Sequence, residues 1–83
     1  MTDDEGVAGA MPLTAAQAGA PLKLVAVEGG RGFVQRLASM GLVPGSPLRL
    51  LRADGGGPVL LDVRGTRIAV GRGMAARIRV VAG

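Results

Sequence analysis

Gly30-Arg31-Gly32 lies between an apolar, β-branched run and an amphipathic one, the setting in which a glycine-rich loop can cradle a pyrophosphate at a helix N-terminus. The residues that would complete such a loop are of the wrong type. Gln35 takes the place of the third glycine, and basic Arg52 stands about 20 residues on, where an acid would hold the ribose. No Gly-Lys-Ser/Thr phosphate loop occurs, and 83 residues are too few for a doubly wound sheet. A flexible loop leading into a helix accounts for the run. Nucleophilic and acid–base chemistry fare no better: the chain has no His, Cys or Tyr, and Ser39 has Arg36 but no base near it. Glu28, Asp54 and Asp62 are dispersed and suit turn caps or partners for Arg. Without Cys or His the usual borderline and soft metal ligands are missing, and the scattered Met residues suit core filling better than Cu(I). The reading is a non-enzymatic protein with no cofactor and no metal site.

Charge is the remaining resource. The formal net charge is +4, but Asp3, Asp4 and Glu5 crowd the first five residues, so residues 11–83 set ten bases against three acids, a net +7. Nine of those bases are Arg, whose planar fork of donors matches carboxylates and phosphates. Such a surface favours an acidic partner: a protein face, a nucleic acid or anionic lipid. Nucleic acid is disfavoured, because single-strand platforms stack bases on aromatic rings and Phe33 is the one aromatic residue. The same scarcity argues against an aromatic-lined groove for Pro-rich peptides.

The elements that must position these bases follow from periodicity. Residues 1–10, acidic and aperiodic, are expected to form a disordered tail, with a single domain from Met11 to Gly83. Gly6 to Leu22 carries no charge, yet its acidic lead and its Pro12, Thr14, Gln17, Gly19 and Pro21 fit neither a secretion signal nor a membrane helix, which indicates a cytoplasmic protein. Leu22 to Val27 reads as a first strand ending at Glu28-Gly29-Gly30. Phe33, Leu37 and Met40 recur at helical spacing with Val34 and Ala38 beside them, so one short amphipathic helix follows. Gly41 can end it in the left-handed conformation, with Leu42 packing back on Leu37, and Val43-Pro44-Gly45-Ser46 fits a type II turn.

Pro47 opens a second strand over Leu48–Arg52, with a bulge where Leu51 breaks alternation. Asp54-Gly55-Gly56-Gly57-Pro58 is a loop. Val59, Leu61 and Val63 then alternate into a hairpin, where Gly65-Thr66 suits a type II′ turn. That register sets Val63 opposite Ile68 and Leu61 opposite Val70, and leaves Arg64 facing Arg67, a like-charge pair. Met74–Ala76 suits one helical turn, and Arg77–Val81 forms the last strand. Five short strands and a helix predict an all-β domain closed into a small barrel, first strand on last. A strand left unpaired at the seam would invite a dimer.

Arg36-Leu37-Ala38-Ser39-Met40-Gly41-Leu42-Val43-Pro44-Gly45 resembles the signature of the FeoA family, in which Arg-Leu-x-x-Met-Gly-Leu-x-Pro-Gly joins a short helix to the next strand. Pro12-Leu13-Thr14 with Ala18-Gly19 resembles the family's opening, and Gly65 to Val70 with Ala75 to Val80 its closing strands. The resemblance implies an SH3-like barrel, a role in bacterial ferrous iron uptake, and association with the cytosolic part of the membrane transporter FeoB. Transition-metal binding is implied only at the level of the family. A related barrel occurs in iron-dependent repressors of the diphtheria-toxin type. The matched residues Arg36, Leu37, Met40, Gly41, Leu42, Pro44 and Gly45 read mainly as fold-determining. Gly71-Arg72-Gly73-Met74 departs from the charged pattern expected there. The chain is thus expected to be an accessory protein that binds and modulates FeoB, peripheral to the inner membrane through that partner. Arg49, Arg52, Arg64 and Arg67 are the candidate contacts, as bases alternating outward from the central strands. The alternatives are a basic barrel that binds nucleic acid and a free-standing repressor-type barrel that binds another protein.

Overall fold

The computed structural model describes residues 9–83; apart from Gly9 and Ala10, the acidic tail lies outside the described residues. Along the chain run β1 (Met11–Pro12), a 3-10 turn (Leu13–Ala15), β2 (Pro21–Val27), α1 (Arg31–Ser39), β3 (Pro47–Arg52), β4 (Val59–Val63), β5 (Thr66–Val70), α2 (Arg72–Ala75) and β6 (Ile78–Ala82). The strands form one antiparallel sheet in the order β1-β6-β2-β3-β4-β5. The five predicted strands are present, and the first of them pairs with the last, β2 with β6. A sixth strand was not foreseen: β1 is only two residues long, too short to show a period, and it is defined by its pairing with Arg79 and Val80.

Alternation carries the core. Leu22 and Leu24 of β2, Leu48 and Leu50 of β3, Val59, Leu61 and Val63 of β4, Val70 of β5 and Ile78 and Val80 of β6 all point inward and are buried. Leu13, Leu37, Leu42 and Ala75 close the ends. Ile68 is half-buried against this cluster. The helix contributes less than its pattern suggests. Leu37 is buried, Phe33 and Met40 are half-buried, and Val34 is exposed, so α1 touches the barrel along one narrow line.

At its C-terminus α1 meets the sheet through a built corner. Gly41, at φ +87°, lets its N–H reach the Ala38 carbonyl and the Leu42 N–H reach that of Leu37, each at 2.9 Å, the Schellman arrangement. Leu42 is thereby buried beside Leu37. The expected type II turn follows, with Gly45 at φ +92° and the Ser46 N–H donating to Val43 at 2.9 Å. Ser46, 2% exposed, closes the corner from inside. Its hydroxyl donates to the Gly41 carbonyl at 2.9 Å and accepts from the Val43 N–H at 3.1 Å. Two backbone bonds fix the corner to β2: Gly45 N–H to the Leu24 carbonyl at 2.8 Å, and Leu24 N–H to the Ser46 carbonyl at 2.9 Å.

The expected bulge at Leu51 is observed as a register shift between Leu50 and Arg52. The hairpin differs from expectation. Its turn residues are Arg64 and Gly65, both with positive φ (+55° and +87°), a type I′ turn in place of a type II′ turn at Gly65-Thr66. Val63 therefore faces Thr66, Leu61 faces Ile68 and Val59 faces Val70. Arg67 faces Asp62, and the predicted Arg64–Arg67 pair does not form. Two interactions favour the observed register: Asp62 Oδ1 accepts the Gly65 N–H at 2.7 Å, and opposite charges replace like ones across the strands. The shift is by two residues, so the apolar residues stay on the inner face.

Removing the Ser46 hydroxyl leaves one carbonyl and one N–H without a partner in a largely buried corner. Ser46→Ala is expected to lower stability by about 1–3 kcal/mol, seen as a fall in the urea midpoint with unchanged slope.

Candidate interaction surface

The outward residues of the central strands form a row. Pro21 of β2 stands opposite Arg49 of β3, Arg49 opposite Asp62 of β4, and Asp62 opposite Arg67 of β5. One carboxylate is thus flanked by two guanidiniums in neighbouring strands, and all three point away from the core because each neighbours an inward residue in sequence. Twist makes this face concave between β2 and the hairpin. The resulting groove, about 360 Å³, has Pro21, Pro47 and parts of Leu22 and Leu48 as its apolar floor, with Lys23, Arg49 and Arg64 around it. Asp62, Gly45, Gly65 and Gly83 complete the lining.

The four predicted contacts separate on this map. Arg49 and Arg64 line the groove, and Arg67 sits on the far side of Asp62. Arg64 belongs to the turn rather than to an alternating strand position. Arg52 lies past the bulge, paired with Asp54 at 3.2 Å; with the two side chains 70% and 78% exposed, that pair contributes little. The sequence reading missed Lys23, Pro21 and Pro47 as lining residues. Their outward parity with Arg49 was visible in β2 and β3, but nothing local showed that the strands would meet at Pro21 and Arg49.

Other charged groups serve the fold. Arg79 Nε donates to Glu28 Oε2 at 3.1 Å, tying β6 to the end of β2. Half-buried Arg72 donates to the Ala53 carbonyl and holds α2 to the β3–β4 connection, which gives the divergent Gly71–Met74 segment a structural task. Arg77 lies 5.7 Å over the Phe33 ring. Of the signature residues, Leu37 and Leu42 are core, Gly41 and Gly45 supply the corner's positive φ, Met40 is half-buried, and Arg36 and Pro44 are exposed. Among the described residues no three acids converge, each being engaged separately: Glu28 with Arg79, Asp54 with Arg52, Asp62 with the turn.

A curled antiparallel sheet with one helix at its corner and an outward basic groove defines the class: a small SH3-like barrel. Residues 11–82 match the FeoA domain family, and the chain belongs to that family of ferrous iron transport accessory proteins. It is 41% identical over 69 residues to a protein of Methanocaldococcus jannaschii named as an Fe(2+) transport protein A, covering 83% of each chain. Among solved structures it resembles an iron uptake regulatory protein (FeoA), with TM-score 0.80 and 36% identity, over 87% of this chain and 96% of that one. The FeoA protein of Chlorobium tepidum is similar at TM-score 0.78 and 30% identity, over 87% and 70%. A manganese-dependent transcriptional repressor shares the fold at TM-score 0.79 and 22% identity, over 89% of this chain and 42% of its own.

Arg64 occupies a conformation that costs a side chain with a Cβ about 1–2 kcal/mol. Asn-Gly is the preferred pair for this turn, so Arg64→Asn is expected to raise stability by about 0.5–1 kcal/mol. Thermal unfolding of the two proteins checks it.

Proposed function

We propose that this protein is a non-enzymatic accessory subunit of ferrous iron uptake that binds the cytosolic part of the FeoB transporter through its basic groove and modulates it. Family membership supports the transport role, and the groove supports the mode of action. The observation that carries the reading is that Lys23, Arg49 and Arg64 surround an apolar floor without serving the core, and that Arg64 does so from a turn position where another residue would be more stable. An acidic segment with some apolar character fits such a surface, since apolar contact supplies affinity and the bases steer encounter and set orientation.

On this reading the iron is the transporter's cargo. The domain acts from the cytosolic side, peripheral to the membrane through its partner, and no helix among the described residues is long and apolar enough to cross a bilayer. Binding of single-stranded nucleic acid is less well supported, because the one aromatic ring is half-buried and covered by Arg77 instead of being presented to bases.

The test is co-purification and titration with the transporter's isolated cytosolic region. The double variant Arg49→Glu/Arg64→Glu should keep its circular dichroism spectrum and bind at least about tenfold more weakly, the loss of two contacts of about 1 kcal/mol each. Unchanged affinity would remove the groove from the interface. Tight binding to generic RNA with a log-linear salt dependence, and none to the cytosolic region, would replace the reading with nucleic-acid binding.

A further inference from the structure

The antiparallel sheet has two open ends, and they differ. β1 is two residues long, whereas β5 runs for five, with β4 as its one neighbour in the sheet. The devices that usually protect an edge are missing from β5: it has no Pro and no bulge in its ladder with β4, and its single charge, Arg67, already stands opposite Asp62. Which backbone groups it leaves open follows from the hairpin. Val63 and Thr66 flank the two-residue turn and bond to each other, so Ile68 and Val70 also bond to β4, while the N–H and C=O of Arg67 and Ala69 point to the free side. Among the described residues no backbone group pairs with them. Arg67 and Ala69 are exposed, and Ile68 is half-buried.

This edge fits a second copy of itself. Antiparallel pairing about a two-fold axis through Ile68 sets Arg67 of each molecule opposite Ala69 of the other, and each such pair exchanges two hydrogen bonds, four in all. The two Ile68 side chains then meet across the axis on the inner face, at the closest spacing a ladder offers, and cover what the monomer leaves exposed. The registers two residues away are worse. One puts Arg67 against Arg67; the other centres on Ala69, sets Ile68 against a Val70 that is already only 2% exposed, and calls on the Gly71 carbonyl, which the Ala75 N–H occupies. We propose that β5 is a homodimerisation edge, pairing with β5 of a second copy about Ile68. No residue of β5 lines the groove, so the groove stays open in the dimer, and the pairing is independent of the transporter reading. Four backbone bonds and one apolar pair bury well under the roughly 1,200 Å² of a stable complex, so the dimer is transient and becomes populated toward about 1 mM protein.

Sedimentation equilibrium of the full chain at about 0.15 M salt, where the Debye length is about 8 Å, reads the dimer. The average mass should rise from monomer toward dimer as the concentration approaches about 1 mM. Ala69 is exposed, so its substitution tests the register without disturbing the core. Ala69→Glu places a carboxylate opposite Arg67 of the other copy twice per dimer and should tighten association about two- to thirtyfold; Ala69→Lys should weaken it by a similar factor. A chain that stays monomeric up to about 1 mM overturns the proposal whatever the variants do. So does growth beyond a dimer, or a dimer that the two variants leave unchanged or shift in any other sense, since it would then use another surface or register.

Discussion

The buried hydroxyl of Ser46 joins the two halves of the corner on which every later strand depends. It satisfies the Gly41 carbonyl at the helix end and the Val43 N–H at the start of the turn, while the adjacent backbone pairs with Leu24 on both sides. These bonds set the direction in which β3 leaves the helix, and hence the alignment of Leu22 with Leu48 and of Pro21 with Arg49. A core without disulfides or more than one aromatic residue has little excess stability with which to tolerate a misdirected strand. Each buried Leu or Val contributes roughly 1.5–3 kcal/mol only if the strands arrive in register.

The inner and outer faces place different demands on the sheet. Inward, the requirement is only that apolar residues alternate, and several registers meet it. Outward, the charges discriminate: Asp62 lies between Arg49 and Arg67 in the observed register, whereas the alternative two residues away opposes Arg64 to Arg67. The cost of the chosen register is a left-handed Arg64, relieved in part by the Asp62 carboxylate holding the Gly65 N–H.

Much of this was legible in advance. The helix end at Gly41, the turn at Gly45 and the bulge at Leu51 are local chain geometry, governed by residues adjacent in sequence. The hairpin register is not legible along the chain, because a shift of two leaves the periodicity unchanged and because Arg at positive φ contradicts the usual preference. The two-residue β1 could not be seen, since its identity rests wholly on its pairing with β6. Arg49 lines the groove from a strand position and Arg64 from the turn, whereas Arg52, three residues from Arg49 and beyond the bulge, lies apart from it.

What the amino-acid order by itself determined is the class of molecule: short alternating runs punctuated by Gly and Pro, one amphipathic helix and a basic surface. Those properties depend on composition and on periods of two and 3.6, which are written along the chain. Tertiary structure alone decided that Pro21, Lys23, Pro47, Arg49 and Arg64 share one groove, because residues more than forty apart are brought together only when strand pairing and twist close the sheet around Leu24 and Ser46.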